Sequence, residues 1–213
     1  MRYVSGILAG FSLGFAACGG GGSTAEPSEP GSSLVITLPT TSIASGTSVQ
    51  ATASISDGSG GSSPASGVTW SSSSPEVASV SSGLITGALK GTATISATSG
   101  GLTGRVVVTV VPGAPASITI YAGNNQSGPR SSRLSDPLCT TVLDAAGNLI
   151  VGAVVSYAVA TGGGVLASPT SPQTDDSGIA ISGLWTLGPG AGPQTVTASS
   201  PGAGSVTFTA TSQ

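Results

Sequence analysis

The stretch VTWSSSSPEVASVSSGLITGALKGTATISA, residues 68–97, is crowded with hydroxyl side chains and nearly free of charge. A serine or threonine hydroxyl becomes a nucleophile only when a base activates it. The chain contains no histidine, and its only lysine, Lys90, is not paired with a serine in an S-x-x-K motif. These hydroxyls are therefore expected to form turns and the polar side of a structural element.

Acidic side chains are the other groups that could serve as a base. The chain has eight of them: Glu26, Glu29, Asp57, Glu76, Asp136, Asp144, Asp175 and Asp176. Only Asp175 and Asp176 are adjacent, and neighbours on an extended strand point to opposite faces, so the pair indicates a turn rather than a catalytic dyad. The sequence therefore predicts a protein that is not an enzyme and needs no cofactor.

Calcium is the metal that these aspartates would suit. Calcium takes about six to eight oxygens from a converging loop, and the chain has no D-x-D-x-D-G loop. The preferred interpretation of Asp144, Asp175 and Asp176 is that they form turns, with weak calcium binding as the alternative. No metal site is predicted.

Composition limits the class of protein and the class of partner. Only 6% of the 213 residues are charged, against about 25% in typical soluble domains. With a net charge of −3 and five basic residues, the chain lacks the clustered lysine and arginine that phosphate binding requires, which excludes a nucleic-acid partner. Glycine, serine, threonine, alanine and valine dominate, and this mixture favours short β-strands joined by turns.

The first residues predict export. Arg2 is a minimal positive region, and residues 7–17 are apolar but too few for a membrane-spanning helix, which takes about 20 residues. Ordinary cleavage after Ala17 would place Phe15 where a small residue is preferred. The sequence FAAC instead resembles a bacterial lipobox. The resemblance implies a signal peptide over residues 1–17 and lipidation of Cys18, with an ordinary secreted protein as the alternative.

The residues that follow predict a tether, which together with Cys18 covers residues 18–33. Its glycine-rich start is flexible, and a chain of this length spans about 20 Å root mean square. In Gram-negative lipoproteins, an aspartate directly after the lipidated cysteine favours retention at the inner membrane. Here that position is Gly19, so the resemblance implies anchoring at the outer membrane or cell surface. Cys139 would then have no partner within the chain; it is interpreted as a half-buried strand residue, with a reactive or intermolecular thiol as the alternative.

From residue 34 onward, apolar residues alternate with polar ones. In each of three segments, the alternating apolar residues would lie on one face of a strand. The three sets are Val49, Ala51, Ala53 and Ile55; Ala93, Ile95 and Ala97; and Val106, Val108 and Val110. This period of two is typical of half-buried antiparallel strands, and the turn-rich segments between them indicate a β-sandwich. The predicted fold class is all-β.

Residues 34–111 resemble a bacterial Ig-like domain of group 2. The pattern of that family is matched by Val68, Trp70, Ser72, Ala78, Val80, Gly83, Leu84, Lys90, Gly91 and Ile95. The resemblance implies that Trp70 is the aromatic buried between two sheets and that Lys90 and Gly91 form a turn before a core strand.

After a linker over residues 112–115, residues 116–213 resemble the group 1, invasin/intimin-like bacterial Ig domain. The residues that carry the resemblance include Asp144, Gly147, Asn148, Gly178 and Trp185. Asp144, Gly147 and Asn148 are expected to form a tight turn in which Gly147 takes a positive φ. With both resemblances, the predicted architecture is two tandem Ig-like Greek-key β-sandwiches after a signal peptide and a flexible tether.

These features predict a non-catalytic, lipid-anchored envelope protein whose Ig-like modules serve surface adhesion or protein interaction. Its expected partners are the membrane, through acylated Cys18, and a protein or polysaccharide ligand at the surface. A carbohydrate-binding module is one alternative, but sugars stack on exposed aromatic rings, and both Trp70 and Trp185 match core motifs. A passive structural spacer is the other alternative.

Overall fold

The computed structural model describes residues 31–213. These residues form nineteen β-strands and no helix, so nothing within 31–213 could cross a membrane as a helix. The predicted signal peptide, Cys18 and most of the tether lie outside the described residues.

Ten strands build the first sandwich. They are β1 Ser33–Thr37, β2 Ser42–Ala44, β3 Ser48–Gln50, β4 Thr52–Ser56, β5 Ser62–Pro64, β6 Thr69–Ser72, β7 Ala78–Ser81, β8 Leu84–Gly87, β9 Gly91–Ser99 and β10 Leu102–Val111. They pair in the orders β1-β4-β5, β2-β10-β9-β6 and β3-β8-β7.

Nine strands build the second sandwich. They are β11 Pro115–Ala122, β12 Gln126–Gly128, β13 Cys139–Asp144, β14 Ser156–Thr161, β15 Val165–Leu166, β16 Ile179–Ile181, β17 Trp185–Thr186, β18 Gly192–Ser200 and β19 Gly204–Ser212. They pair in the orders β11-β13-β16, β12-β19-β18-β14 and β15-β17. The predicted all-β fold with tandem Ig-like sandwiches is confirmed.

The predicted alternation of apolar and polar residues matches the burial of side chains in the strands. Along β9, Ala93, Ile95 and Ala97 are at most 1% exposed, while Thr94 and Ser96 between them are partly exposed. Each sandwich has its own apolar core. The first is built around Ile43, Ile85, Ile95, Val108 and Val110, and the second around Leu138, Val142, Trp185, Val196 and Phe208.

One predicted strand is divided in the structure. Val49, Ala51, Ala53 and Ile55 were expected on one face of a single strand, but β3 pairs with β8 whereas β4 pairs with β1. The chain passes between these two sheets at Ala51, whose backbone N–H bonds the Gly83 carbonyl oxygen at 2.8 Å. Only Ala51 of the four residues is fully buried. The alternation of apolar and polar residues predicts which face points inward. It could not show that the chain passes from one sheet to another at Ala51.

In each sandwich, a short early strand runs parallel to the last one. β2 pairs with β10 from Ser42–Thr109 to Ala44–Val111. β12 pairs with β19 in the same way, from Gln126–Ala210 to Gly128–Ser212. The other strand pairs of both sandwiches are antiparallel.

Candidate functional site

The ends of strands from both sandwiches meet around the short connection between β10 and β11. We call this region the junction; it consists of Ser45, residues 88–90, Gly113 and residues 144–148. Residues 88–90 form the turn between β8 and β9, and residues 145–148 form the turn after β13. Because the contacts come from turns at strand ends, the two sandwiches are stacked end to end.

The turn after β13 is organised by the Asp144 carboxylate. Its Oδ1 accepts hydrogen bonds from the backbone N–H groups of Ala146, at 2.9 Å, and Asn148, at 2.8 Å. Gly147 has a φ of +85°, a conformation that glycine adopts without steric cost. Aspartate, glycine and asparagine at these spacings are the residue types that favour such a turn.

Asn148 carries the contact between the sandwiches. Its side-chain Oδ1 accepts a hydrogen bond from the backbone N–H of Lys90 at 2.8 Å, and its Nδ2 donates to the Ala88 carbonyl oxygen at 3.0 Å. The amide thus pairs with the backbone on both sides of Leu89, as a neighbouring strand would. Asn148 is 8% exposed, so its polar atoms rely on these partners rather than on water.

The second carboxylate oxygen of Asp144 fixes the other half of the junction. Its Oδ2 accepts from Asn148 Nδ2 and from the backbone N–H of Gly113, each at 2.8 Å. Burial disfavours the charge on Asp144. The hydrogen bonds from the Asn148 side chain and from the N–H groups of Gly113, Asn148 and Ala146 outweigh burial and lower the pKa of Asp144 to about 2.

Gly113 has a steric role in the linker. A Cβ at this position would lie 2.8 Å from the Ser45 carbonyl oxygen, which is closer than real contacts allow. A larger residue would therefore push the linker away from the first sandwich.

A cavity of about 600 Å³ opens beside the junction. Its walls are mainly alanine and glycine, together with Ser45, Thr47, Pro115 and Asp144. The Asp144 carboxylate is already committed to four hydrogen bonds, and neither a histidine nor a lysine lines the cavity. These walls provide space and apolar surface but no pair of groups for acid–base or nucleophilic chemistry.

The turn aspartates do not converge. Asp57, Asp144 and Asp175 each use Oδ1 to accept from the N–H groups two and four residues later, at 2.8–3.0 Å. In residues 31–213 no three His, Cys, Asp or Glu side chains cluster closely enough to hold a metal ion. The structure brings Asp144, Gly147 and Asn148 together, whereas Asp175 and Gly178 form a separate turn.

Trp70 is less buried than the resemblance implied. It lies on β6, at an edge of its sheet, and is partly buried against the first core, with its ring next to Gly83 in the turn between β7 and β8. Gly91 begins β9, and a Cβ there would lie 3.2 Å from a methyl group of Val77. The turn before it contains Lys90, whose backbone N–H bonds Asn148.

Trp185 is fully buried in the second core at 1% exposure. Its Nε1 has no hydrogen-bond partner among the described residues. Gly178 has a φ of +74°, and a Cβ there would lie 2.8 Å from the Cβ of Leu149. Both residues therefore serve packing in the second sandwich.

The free thiol of Cys139 lies on the outer face of β13 yet is only 8% exposed, which is more buried than the half-buried position expected. Its neighbours Leu138 and Thr140 face the core at 0% exposure. Burial raises the pKa of the Cys139 thiol. Cys18, the predicted lipidation site, lies outside the described residues.

The serines from which the sequence analysis began lie at the end of β6. Ser73 Oγ accepts from the Thr94 backbone N–H at 2.9 Å, and Ser72 Oγ accepts from that of Ser74 at 3.2 Å. Both of these hydroxyls thus bond backbone N–H groups.

Sequence reasoning missed the bridging role of Asn148. Its membership of a turn could be read from the residue types, but its partners, Ala88 and Lys90, are 60 and 58 residues away. No local pattern marks a turn whose side chain reaches a different sandwich.

The comparison with family models supplies the decisive observation for the first sandwich. Residues 33–110 match the model of the bacterial Ig-like domain (group 2). This match covers the first sandwich, from β1 to the end of β10. The comparison with curated proteins finds no match.

Solved structures share the tandem fold. FdeC, an Escherichia coli adhesin, aligns with a TM-score of 0.55 at 18% identity, over 86% of this chain and 65% of that chain. InvD of Yersinia pseudotuberculosis aligns with a TM-score of 0.50 at 19% identity, over 85% of this chain and 57% of that chain. The chain thus spans less than two thirds of either structure, and at these identities the likeness shows the fold alone.

Proposed function

We propose that this chain is a non-catalytic envelope protein, exported and anchored through acylated Cys18, whose Ig-like sandwiches serve cell-surface adhesion or protein interaction. The observation that supports the proposal most is the tandem Ig-like fold, which it shares with the adhesin FdeC. The second sandwich, which we take to be of the group 1 type, is the farther one along the chain from Cys18. It is the sandwich better placed to meet a partner.

The use of polar side chains supports a role other than catalysis. In the described part of the chain, the buried hydrogen bonds of Asp144, Asn148, Thr174 and Gln194 go to turns and neighbouring backbone. Asp144 does line the cavity beside the junction, but its carboxylate already accepts four hydrogen bonds, whereas an active site would leave such a group available to a substrate.

Carbohydrate binding is a second candidate because of one exposed ring. Tyr121 is 63% exposed at a bulge in β11, whereas Tyr157 is buried. An exposed aromatic ring offers a stacking face for a sugar. The passive spacer remains a third candidate, since it needs only the fold and the anchor.

Anchoring is tested by mass spectrometry of the protein produced in a Gram-negative host. We expect the mature N-terminus to be Cys18 carrying acyl chains, and Cys18→Ala to abolish both acylation and maturation. Cys139→Ala, which removes the other cysteine, is the matched control and should mature normally. A free N-terminus at any other residue would rule out the lipid anchor.

Ligand class is tested with the fragment 31–213, which contains every described strand and both cores. Binding of this fragment to cells or purified surface proteins, unchanged in Tyr121→Ala, is expected for an adhesion module. If the fragment binds to a glycan array and Tyr121→Ala abolishes that binding, the chain would instead be a carbohydrate-binding protein. Absence of binding in both assays would leave the spacer.

A further inference from the structure

Asn148 forms a direct side-chain bridge between the two sandwiches. The hydrogen bonds that hold Asn148 restrict how the two sandwiches can move relative to each other. Its amide oxygen and nitrogen bond Lys90 and Ala88 of the first sandwich, while its nitrogen is also held by Asp144 Oδ2. We propose that the Asp144–Asn148 turn is a lock that fixes the orientation of the two sandwiches, so that residues 34–213 behave as one rigid body rather than as two modules on a flexible linker.

The turn chemistry itself supports a special role at this position. Asp57, Asp144 and Asp175 all organise the same kind of turn through Oδ1. Only Asp144, among these three, also uses Oδ2, which holds both the linker N–H of Gly113 and the amide of Asn148. A turn needed only for its own sandwich would not require the second oxygen.

Burial supports the lock for a second reason. Asp144 is 4% exposed and Asn148 is 8% exposed, and their side chains bond the linker and the first sandwich, respectively. If the sandwiches moved apart, Asn148 would exchange two protein partners for water while the N–H of Lys90 and the oxygen of Ala88 became exposed. The satisfied hydrogen bonds therefore favour one relative orientation over the many that a three-residue connection permits.

The linker adds a steric restriction. Gly113 approaches the Ser45 carbonyl oxygen so closely that a Cβ would lie 2.8 Å from it, and the Ser45 N–H bonds the Val111 carbonyl oxygen at 2.8 Å. The end of β10 and the linker are thus held against the first sandwich. Asp144 then holds the same linker from the second sandwich, which leaves little freedom between them.

The lock is tested by measuring the distance between spin labels in the fragment 31–213. Labels are placed at Thr103→Cys on β10 and Thr207→Cys on β19, both exposed, in a Cys139→Ser background. We expect a narrow distance distribution for the labelled parent and a clearly broader one for Asn148→Ala. Asn148→Ala leaves the backbone bonds of the Asp144 turn in place, so the second sandwich should remain folded.

Asn124→Ala is the matched control, because Asn124 Oδ1 also accepts a backbone N–H, that of Thr209 at 2.8 Å, but within the second sandwich. It should keep the narrow distribution. Gly113→Ala is an independent variant that acts from the linker and should broaden the distribution without touching either core. A broad distribution in the parent, or one equally narrow in Asn148→Ala and Gly113→Ala, would overturn the lock. Neither result depends on Cys18 or on a ligand, so failure here is distinguishable from failure of the proposed function.

Discussion

The hydroxyl of Tyr157 lies 2.8 Å from the hydroxyl of Thr140 inside the second sandwich, where both residues are almost completely buried. Tyr157 also donates to the Ala180 carbonyl oxygen at 2.9 Å, so Thr140 is the donor in the hydroxyl pair. Burial raises the pKa of Tyr157 to about 12, against the opposing effect of the Thr140 hydrogen bond. The second core therefore contains a neutral polar pair that joins three strands, β13, β14 and β16.

Removing one member of this pair should cost more than removing both. Tyr157→Phe leaves the Thr140 hydroxyl without a partner in the core, and we expect a loss of about 1–3 kcal/mol in the free energy of unfolding. Tyr157→Phe combined with Thr140→Val should recover part of that loss, because no buried hydroxyl is left unpaired. Denaturant unfolding of the fragment 31–213 measures both. A double variant that loses as much as Tyr157→Phe alone, or more, would contradict this account.

Acid should weaken the junction through Asp144. Because the pKa of Asp144 in the folded chain, about 2, is below its ordinary value of 3.8, ionised Asp144 stabilises the fold above pH 3.8. That contribution is lost as the pH falls from 3.8 towards 2, and it is at most about 2.5 kcal/mol. Asp144→Asn should be less stable than the parent at pH 7. Near pH 2, the difference in stability between Asp144→Asn and the parent should be much smaller.

The acid dependence is measured by calorimetry of the parent and of Asp144→Asn across pH 2–7. The fall in stability at low pH should be smaller in Asp144→Asn than in the parent. Parallel stability curves for Asp144→Asn and the parent would exclude Asp144 as the group responsible.

The two tryptophans should differ in their contribution to stability. Trp185, fully buried, should lose about 3–5 kcal/mol on replacement by alanine, the usual loss for a core aromatic. Trp70 is half-buried at a sheet edge, so Trp70→Ala should lose less, about 1–3 kcal/mol. Calorimetry of each variant tests which replacement loses more stability. A loss for Trp70→Ala equal to or larger than that for Trp185→Ala would contradict this prediction.

The serines of residues 71–74 should be unreactive. A broad fluorophosphonate probe should label none of them above the level of the denatured protein, because no histidine is present to activate a hydroxyl. Individual Ser→Ala changes should shift stability by about 0.5–1 kcal/mol at most, with Ser73 the largest because its Oγ bonds the Thr94 N–H. Stoichiometric labelling at one serine would instead point to an enzyme.

Local patterns predicted the fold well because each part of it depends on neighbouring residues. Alternation along β9 depends only on the pleat, so Ala93, Ile95 and Ala97 could be placed in the core from their spacing. The Asp144 turn likewise follows from residue types within five positions. Features that depend on distant partners were beyond the sequence: the change of sheet at Ala51 depends on Gly83, and the depth of Trp70 depends on the position of β6 at the edge of its sheet.

The candidate site could be predicted only in part for the same reason. Asp144, Gly147 and Asn148 were recognisable as a turn, but its meaning depends on a second sandwich docked against it. Hydrogen bonds between residues about 60 positions apart leave no periodic trace in a single sequence.

The parallel pairing of β2 with β10 and of β12 with β19 determines how the protein responds to being pulled. Each parallel pair joins an early strand to the last strand of its sandwich, so tension between the two ends of a sandwich slides the paired strands past each other. Sliding loads the hydrogen bonds of each pair together, three residue pairs in each case, whereas peeling would break them one at a time. These few bonds are thus arranged to resist stretching.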